Sequence, residues 1–377
     1  MAPANLSINV LPVPVKGPHV VFLIHGMGKY VNDDGMPNDW ASDWITLLET
    51  EAGKYNYFQQ PGKSLSELIT WVPITYDVYF HHYWKYLAET LAELKPELAT
   101  KFPDLATDLP TADTMTNQNL YTHWADPLLW FASEFHQLVV AFVHEHLLKN
   151  IKAVEDHYQN LGQGLQVQTS IIAHSLGTAV AHDALAMLPA VISDLHTTNP
   201  DTLIINNLHT IANVSRILEL DALPVYADPV SVKRWEDPNR SYCNSFYHYH
   251  NEYDPFTWLR RFHADQVPVG GTQVQIKTLE GDIMGIHGME NYLANPRVHG
   301  PILNSFANYS DIVTAADIDT YEATATTIDH TNLPGTIQEI VSNEDHLDLD
   351  QSEALEKLKE MLKEYGSQLL KGVTNHA

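Results

Sequence analysis

Cysteine is almost absent from this chain: Cys243 is the single one among 377 residues. One thiol excludes an internal disulfide framework and any metal site built on clustered cysteines. Basic residues are scarce too, 21 Lys and Arg against 47 Asp and Glu, leaving a formal charge of −26. So acidic a chain disfavours nucleic acid and anionic membrane surfaces as partners. Long uninterrupted apolar runs are also missing. The most apolar stretch, 128–148, carries Glu134, His136, Gln137, His144 and Glu145, which marks a buried or cap helix and not a transmembrane span. The amino terminus, Met1-Ala2-Pro3-Ala4-Asn5-Leu6, lacks the basic and apolar segments of a secretory signal, so a cytoplasmic location is expected.

What is present suffices for a sizeable core. Hydrophobic residues make up 44% of the chain, which argues against global disorder. Its 377 residues accommodate one large α/β domain with insertions or two ordinary domains. Short apolar runs at 19–24, 68–76, 166–174, 203–214, 243–250 and 273–278 read as strands, the second despite Pro73. Helical spacing at 39–53 and 177–188 falls between them. Such alternation predicts an α/β fold with a mainly parallel sheet covered on both faces. The segment 77–158 is mostly helical, with a loop at 101–121 and a helix start at Asp126-Pro127. It is too long for an ordinary crossover, and part of it is expected to form an inserted cap or lid. Residues 1–310 are expected to form the main domain and 311–377 an acidic extension. An amphipathic helix at 350–370, behind an Asp350 and Glu353 capping box, ends that extension.

Chemistry concentrates at Ile171-Ile172-Ala173-His174-Ser175-Leu176-Gly177, where an apolar run ends in a serine between small residues. A helix follows at once, the layout of a strand-to-helix turn that presents a serine hydroxyl. A hydroxyl is a weak nucleophile until an imidazole accepts its proton, and that imidazole needs a carboxylate to fix its tautomer. Backbone donors must also meet the oxyanion that develops in the reaction. His25-Gly26-Met27-Gly28 follows the first strong strand, and glycines on both sides of Met27 let the backbone turn and present its N–H. Leu176, directly after the serine at a helix start, supplies the second donor. His25 and His174 flank the site and read as scaffold residues that brace loops through their ring nitrogens. Gly177 belongs to the turn itself.

The base is expected late in the chain, after the acid. Among 21 histidines, His287 in Gly285-Ile286-His287-Gly288-Met289 lies shortly after the last strand, with His299 as runner-up. For the acid, Asp254 sits in the loop after the strand at 243–250, ahead of Glu252, Asp221 and Asp228; Asp282 is a supporting candidate near His287. A rival pattern is the alternation His248, His250, Glu252, Asp254, which on one continued strand would present a row suited to zinc. The triad already uses Asp254, so neither metal nor cofactor is expected.

With these residues in place the chain resembles the α/β-hydrolase superfamily, and within it bacterial lipases and carboxylesterases. The residues that match are His25-Gly26-Met27-Gly28, Ala173-His174-Ser175-Leu176-Gly177, Asp254 and His287, with Tyr292 and Asn295-Pro296 as weaker echoes. Alanine stands at 173 where glycine is usual; the turn asks mainly for a small side chain there. The resemblance covers the sheet segments and leaves out 77–158 and the tail. It implies a sheet of about eight mostly parallel strands and a serine carboxylic ester hydrolase acting through an acyl-enzyme, on a small-molecule or lipid-like ester. Thioester hydrolysis or acyl transfer by the same triad, or a silent scaffold used for binding, remain as alternatives.

Overall fold

In a computed structural model the described residues are 12–26, 30–32, 34–79, 81, 133–163, 167–194, 205–216, 218, 233–234, 237–241, 243–258, 271–278, 286–307 and 311–326, with 338, 353 and 357. The sheet begins with β1, His19–Ile24, an apolar run buried at all six positions. Burial on both faces explains why it shows no alternation of polar and apolar residues. β2 (Ile69–Ile74), β3 (Gln168–His174) and β4 (Ile205–Ile211) follow. β5 (Lys233–Arg234) and β6 (Asp237–Ser241) come next, then β7 (Cys243–Asn251) and β8 (Gly271–Ile276). Six of these strands form one sheet in the order β2-β1-β3-β4-β7-β8, and every pairing in it is parallel.

The expectation of about eight strands in one sheet is therefore corrected to six among the described residues. β5 and β6 pair antiparallel with each other, apart from the main sheet. Their sequences, Lys-Arg and Asp-Pro-Asn-Arg-Ser, explain the exclusion, because an interior parallel strand must bury both faces. Pro73 lies in β2, an edge strand of the sheet among the described residues, which is where a strand tolerates a missing ladder donor.

Helices cover both faces. On one, Val21, Leu23, Ile172, Ile211 and Tyr249 join a core with Trp40, Trp44 and Leu48 of α1 (Trp40–Ala52). The short α2 (Leu65–Leu68) leads into β2. α3 (Ser133–Asn160) and α4 (Leu176–Asp194) pack on each other, with α3 also touching β1 and β2. Val139, Val143, Leu147, Ile151 and Val154 repeat at helical spacing and are all buried. The carboxyl-terminal part of the 77–158 segment, within which a cap was expected, thus covers the sheet, while 82–132 lie outside the described residues.

Beyond β7 come α5 (Pro255–Trp258), α6 (Met289–Leu293), α7 (Pro296–Ala307) and α8 (Ala315–Glu322). Asn295-Pro296 is the start of α7: Asn295 Oδ1 accepts the Arg297 N–H at 2.8 Å and proline takes the first helical position. Arg297 grips Glu322 with two guanidinium nitrogens, so residues 311–326 of the acidic extension dock on α7. The helix expected at 350–370 lies outside the described residues apart from helical Glu353 and Lys357.

Strand order fixes where chemistry belongs. From β1 the chain passes to β2 on one side and then to β3 on the other. The reversal opens a crevice at the carboxyl ends of β1 and β3, the place where open parallel sheets hold ligands. His25-Gly26 leaves β1 there, and Ser175 leaves β3.

Candidate active site

Ser175 alone turns the chain between the end of β3 at His174 and the start of α4 at Leu176. Its φ is 53°, a left-handed conformation a side-chain-bearing residue holds only when its surroundings enforce it. The Ser175 N–H donates to the Ile211 carbonyl at 3.0 Å, and Thr178 Oγ1 donates to the Ser175 carbonyl at 2.6 Å. Packing is equally tight. A Cβ on Gly177 would lie 2.4 Å from the His25 carbonyl oxygen, and one on Gly26 would lie 2.7 Å from the Ser175 Cβ. Ala173 pairs regularly with Ile24 and Thr210 and takes no left-handed φ, so glycine's freedom is not needed there.

His287 reaches in from the loop before α6. Its Nε2 lies 2.8 Å from Ser175 Oγ and its Nδ1 2.8 Å from Asp254 Oδ2. A carboxylate only accepts, so Nδ1 carries the proton and Nε2 is free to receive one from the serine. Asp254, in the loop after β7, is fully buried and accepts the Phe256 N–H at 3.1 Å on Oδ1. Tyr292 of α6 donates to Oδ2 at 2.8 Å. The Phe256 ring packs against the imidazole at 4.6 Å between centroids. Contrary to the expectation of a presented hydroxyl, Ser175 is only 2% exposed.

His174 Nε2–H donates to the His287 carbonyl at 2.7 Å and ties the turn at Ser175 to the loop that carries His287. Burial, reinforced by the neighbouring His287, lowers its pKa to about 3, so it stays neutral. His25 braces its own loop, Nδ1–H donating to the Gly26 carbonyl at 2.8 Å. Its ring is stacked between Tyr30 at 4.0 Å and Tyr76 at 4.2 Å, and burial lowers its pKa to about 3. The Tyr76 hydroxyl, 2.9 Å from the His25 carbonyl and 3.0 Å from that of Gly26, pins both. Leu176 opens α4, where the first-turn N–H groups have no intrahelical acceptor. Met27 and Gly28 lie outside the described residues.

The rejected candidates have other duties. His299 is buried against Tyr55 Oη and the Leu293 carbonyl at 2.9 and 2.8 Å, a structural position. Glu252 pairs with Lys277 at 2.7 Å. β7 ends at Asn251, so the row from His248 to Asp254 is not one strand face. No group of three or more His, Cys, Asp or Glu able to hold a metal occurs among the described residues. Asp221, Asp228 and Asp282 lie outside them. Tyr79, from the aromatic stripe after β2, packs edge-on against Phe142 of α3 at 5.2 Å.

Tyr76, Tyr292 and Phe256 are the site residues that sequence reasoning did not assign. Tyr76 and Tyr292 reach partners 50 and 38 residues away, a relation no local pattern encodes. No family model, curated protein or solved structure matches this chain. Among the described residues no helix is long and apolar enough to cross a membrane.

Proposed function

We propose that this chain is a serine carboxylic ester hydrolase of the esterase or lipase type, built on an α/β-hydrolase fold. The observation that carries the reading is the unbroken chain from Ser175 Oγ through His287 to Asp254, with both hydrogen bonds at 2.8 Å. The left-handed serine at a strand-to-helix turn and its place at the crevice of a parallel sheet support it.

In the proposed reaction Ser175 Oγ attacks the ester carbonyl carbon while His287 Nε2 takes the hydroxyl proton. The carbonyl π electrons move to oxygen, and the Leu176 N–H and the Met27 N–H meet that oxyanion. Collapse of the intermediate breaks the bond to the alcohol oxygen, which leaves with the proton from His287. Water then attacks the acyl-enzyme, again deprotonated by His287, and releases the acid and the free serine. Asp254 holds the imidazole and balances its charge when it is protonated. No cofactor enters this sequence, and the substrate is a small-molecule or lipid-like carboxylic ester.

A fluorophosphonate probe tests the assignment. The folded protein is expected to gain one adduct, on Ser175, that Ser175→Ala abolishes. Folded protein that gains none would return the chain to a binding scaffold. With labelling in hand, p-nitrophenyl esters of rising chain length separate esterase from lipase.

A further inference from the structure

We infer that Tyr292 is a positioning residue for the acid–base pair, acting on His287 through Asp254; the inference rests on the hydrolase reading above. Three donors converge on the buried Asp254 carboxylate. The Phe256 N–H takes Oδ1 at 3.1 Å, while the His287 Nδ1–H and the Tyr292 hydroxyl share Oδ2 at 2.8 Å each. The Tyr292 oxygen itself accepts the Asn251 N–H at 2.9 Å. That bond fills a lone pair on the hydroxyl and directs its proton toward Oδ2. The result is one continuous line: Asn251 N–H to Tyr292, Tyr292 to Asp254, His287 to the same oxygen, and Ser175 to His287.

Two consequences follow for the base. Pinned at Oδ1 by the backbone and at Oδ2 by the phenol, the carboxylate cannot rotate, so Oδ2 stays in line with the imidazole Nδ1–H. The phenol also disperses charge from the oxygen that faces the imidazole. Without that bond the full carboxylate charge falls on the Nδ1–H, and the protonated imidazole is favoured more strongly. Tyr292 therefore tempers the pull of Asp254 on the imidazole proton. The groups facing the pair from the described elements are Ser175 from the elbow, His174 from β3, Phe256 from α5 and Tyr292 from α6. His174 is held neutral by burial, so no other charge among them competes.

Tyr292→Phe in the full chain keeps the ring and removes the hydroxyl. Expected are a loss of about tenfold in kcat/KM, the scale of one charge-assisted hydrogen bond partly covered by the two remaining donors. The acidic limb of the pH–rate profile should move up by about 0.5–1 unit. The low-field Nδ1–H proton resonance of His287 should shift as well. In an Asp254→Asn background the same change should lower the rate less than twofold, because a residue acting through Asp254 has nothing left to act on. Equal factors in both backgrounds, or an unmoved limb and resonance, would mean that Tyr292 merely packs α6 and would overturn the inference. If the phenylalanine variant does not fold, 3-fluorotyrosine at 292, a stronger donor of nearly the same shape, must move limb and resonance the opposite way. The resonance needs no turnover. A protein that fails to label or hydrolyse esters, yet shows the shift, refutes the hydrolase reading and leaves the Tyr292 geometry standing.

Discussion

Replacing Gly177 with alanine asks whether the contact between α4 and β1 holds the nucleophile in place. The added Cβ would lie 2.4 Å from the His25 carbonyl oxygen and 2.5 Å from that of Ile24. Carbon–oxygen contacts open at roughly 3.3 Å, so the two elements must part by about 0.9 Å. Ile24 is locked in the sheet between Ile74 and Ala173, so the helix gives way. The helix start carries Ser175 and Leu176 with it. Overpacking of this kind destabilises by roughly 1–3 kcal/mol, which lowers Tm by about 1–2 °C per kcal/mol in a chain of 377 residues. A displacement near 1 Å at the reacting atom costs about a hundredfold in rate.

The assay is the second-order rate of fluorophosphonate labelling at Ser175, read well below both melting points, beside a thermal melt. Gly62→Ala is the control: its φ is +74° but no atom lies within 4 Å of the added Cβ. Left-handed strain there destabilises by roughly 1–2 kcal/mol and should leave labelling untouched. If Gly177→Ala labels at the wild-type rate, the argument from close packing fails. If both variants slow labelling alike, global stability and not local geometry explains the loss.

Two further outcomes are expected. Tyr76→Phe frees the His25 and Gly26 carbonyls; binding of a tetrahedral boronate analogue should weaken about tenfold while KM for the ester holds, and an equal change in both would reduce Tyr76 to packing. Acid should unfold the protein through its buried histidines: burial lowers the pKa of His25, His174 and His209 to about 3, and of His19, His182 and His299 to about 4. These groups stay neutral when folded and take protons near 6.5 when unfolded, so the unfolded state binds more protons below that pH. Stability is then level above about pH 7 and falls between about pH 6.5 and 3, at up to about 1.4 kcal/mol per unit for each group, with only the three lower groups contributing below about pH 4. A Tm unchanged from pH 7 to pH 5 would contradict it.

Sequence pattern located the strands because parallel strands bury both faces and leave runs such as His19–Ile24 without a polar break. The same signal is silent on pairing, which is why the strand count came from resemblance and needed correction. α7 was missed for a local reason. Pro296, His299, Gly300 and Pro301 obscure its periodicity, yet Val298, Ile302, Leu303 and Phe306 are buried on the sheet. The helix at 133–160 was legible as an amphipathic element, but its pattern does not say whether the buried stripe meets a sheet or roofs a pocket. Ser175 stood out from one seven-residue stretch and the helix behind it. Asp254 and His287 needed their place after β7 and β8, and Tyr76 and Tyr292 needed the folded chain itself.

The spacing of the strands accounts for the reach from Ser175 to Asp254. Ser175 follows β3 and Asp254 follows β7, with β4 between them. Two strand intervals amount to about 10 Å at the sheet's edge, and one imidazole with a hydrogen bond at each nitrogen spans most of that gap. β4 ends abruptly: Ala212, fully buried at φ 49°, donates its N–H to the Tyr249 carbonyl while the Ile211 carbonyl takes the Ser175 N–H. The strand between the two partners bonds to the Ser175 turn on one side and to β7 on the other, and carries only a methyl at Ala212. The base must then come from outside the pair, and the loop before α6, tied down by His174, is where it arrives.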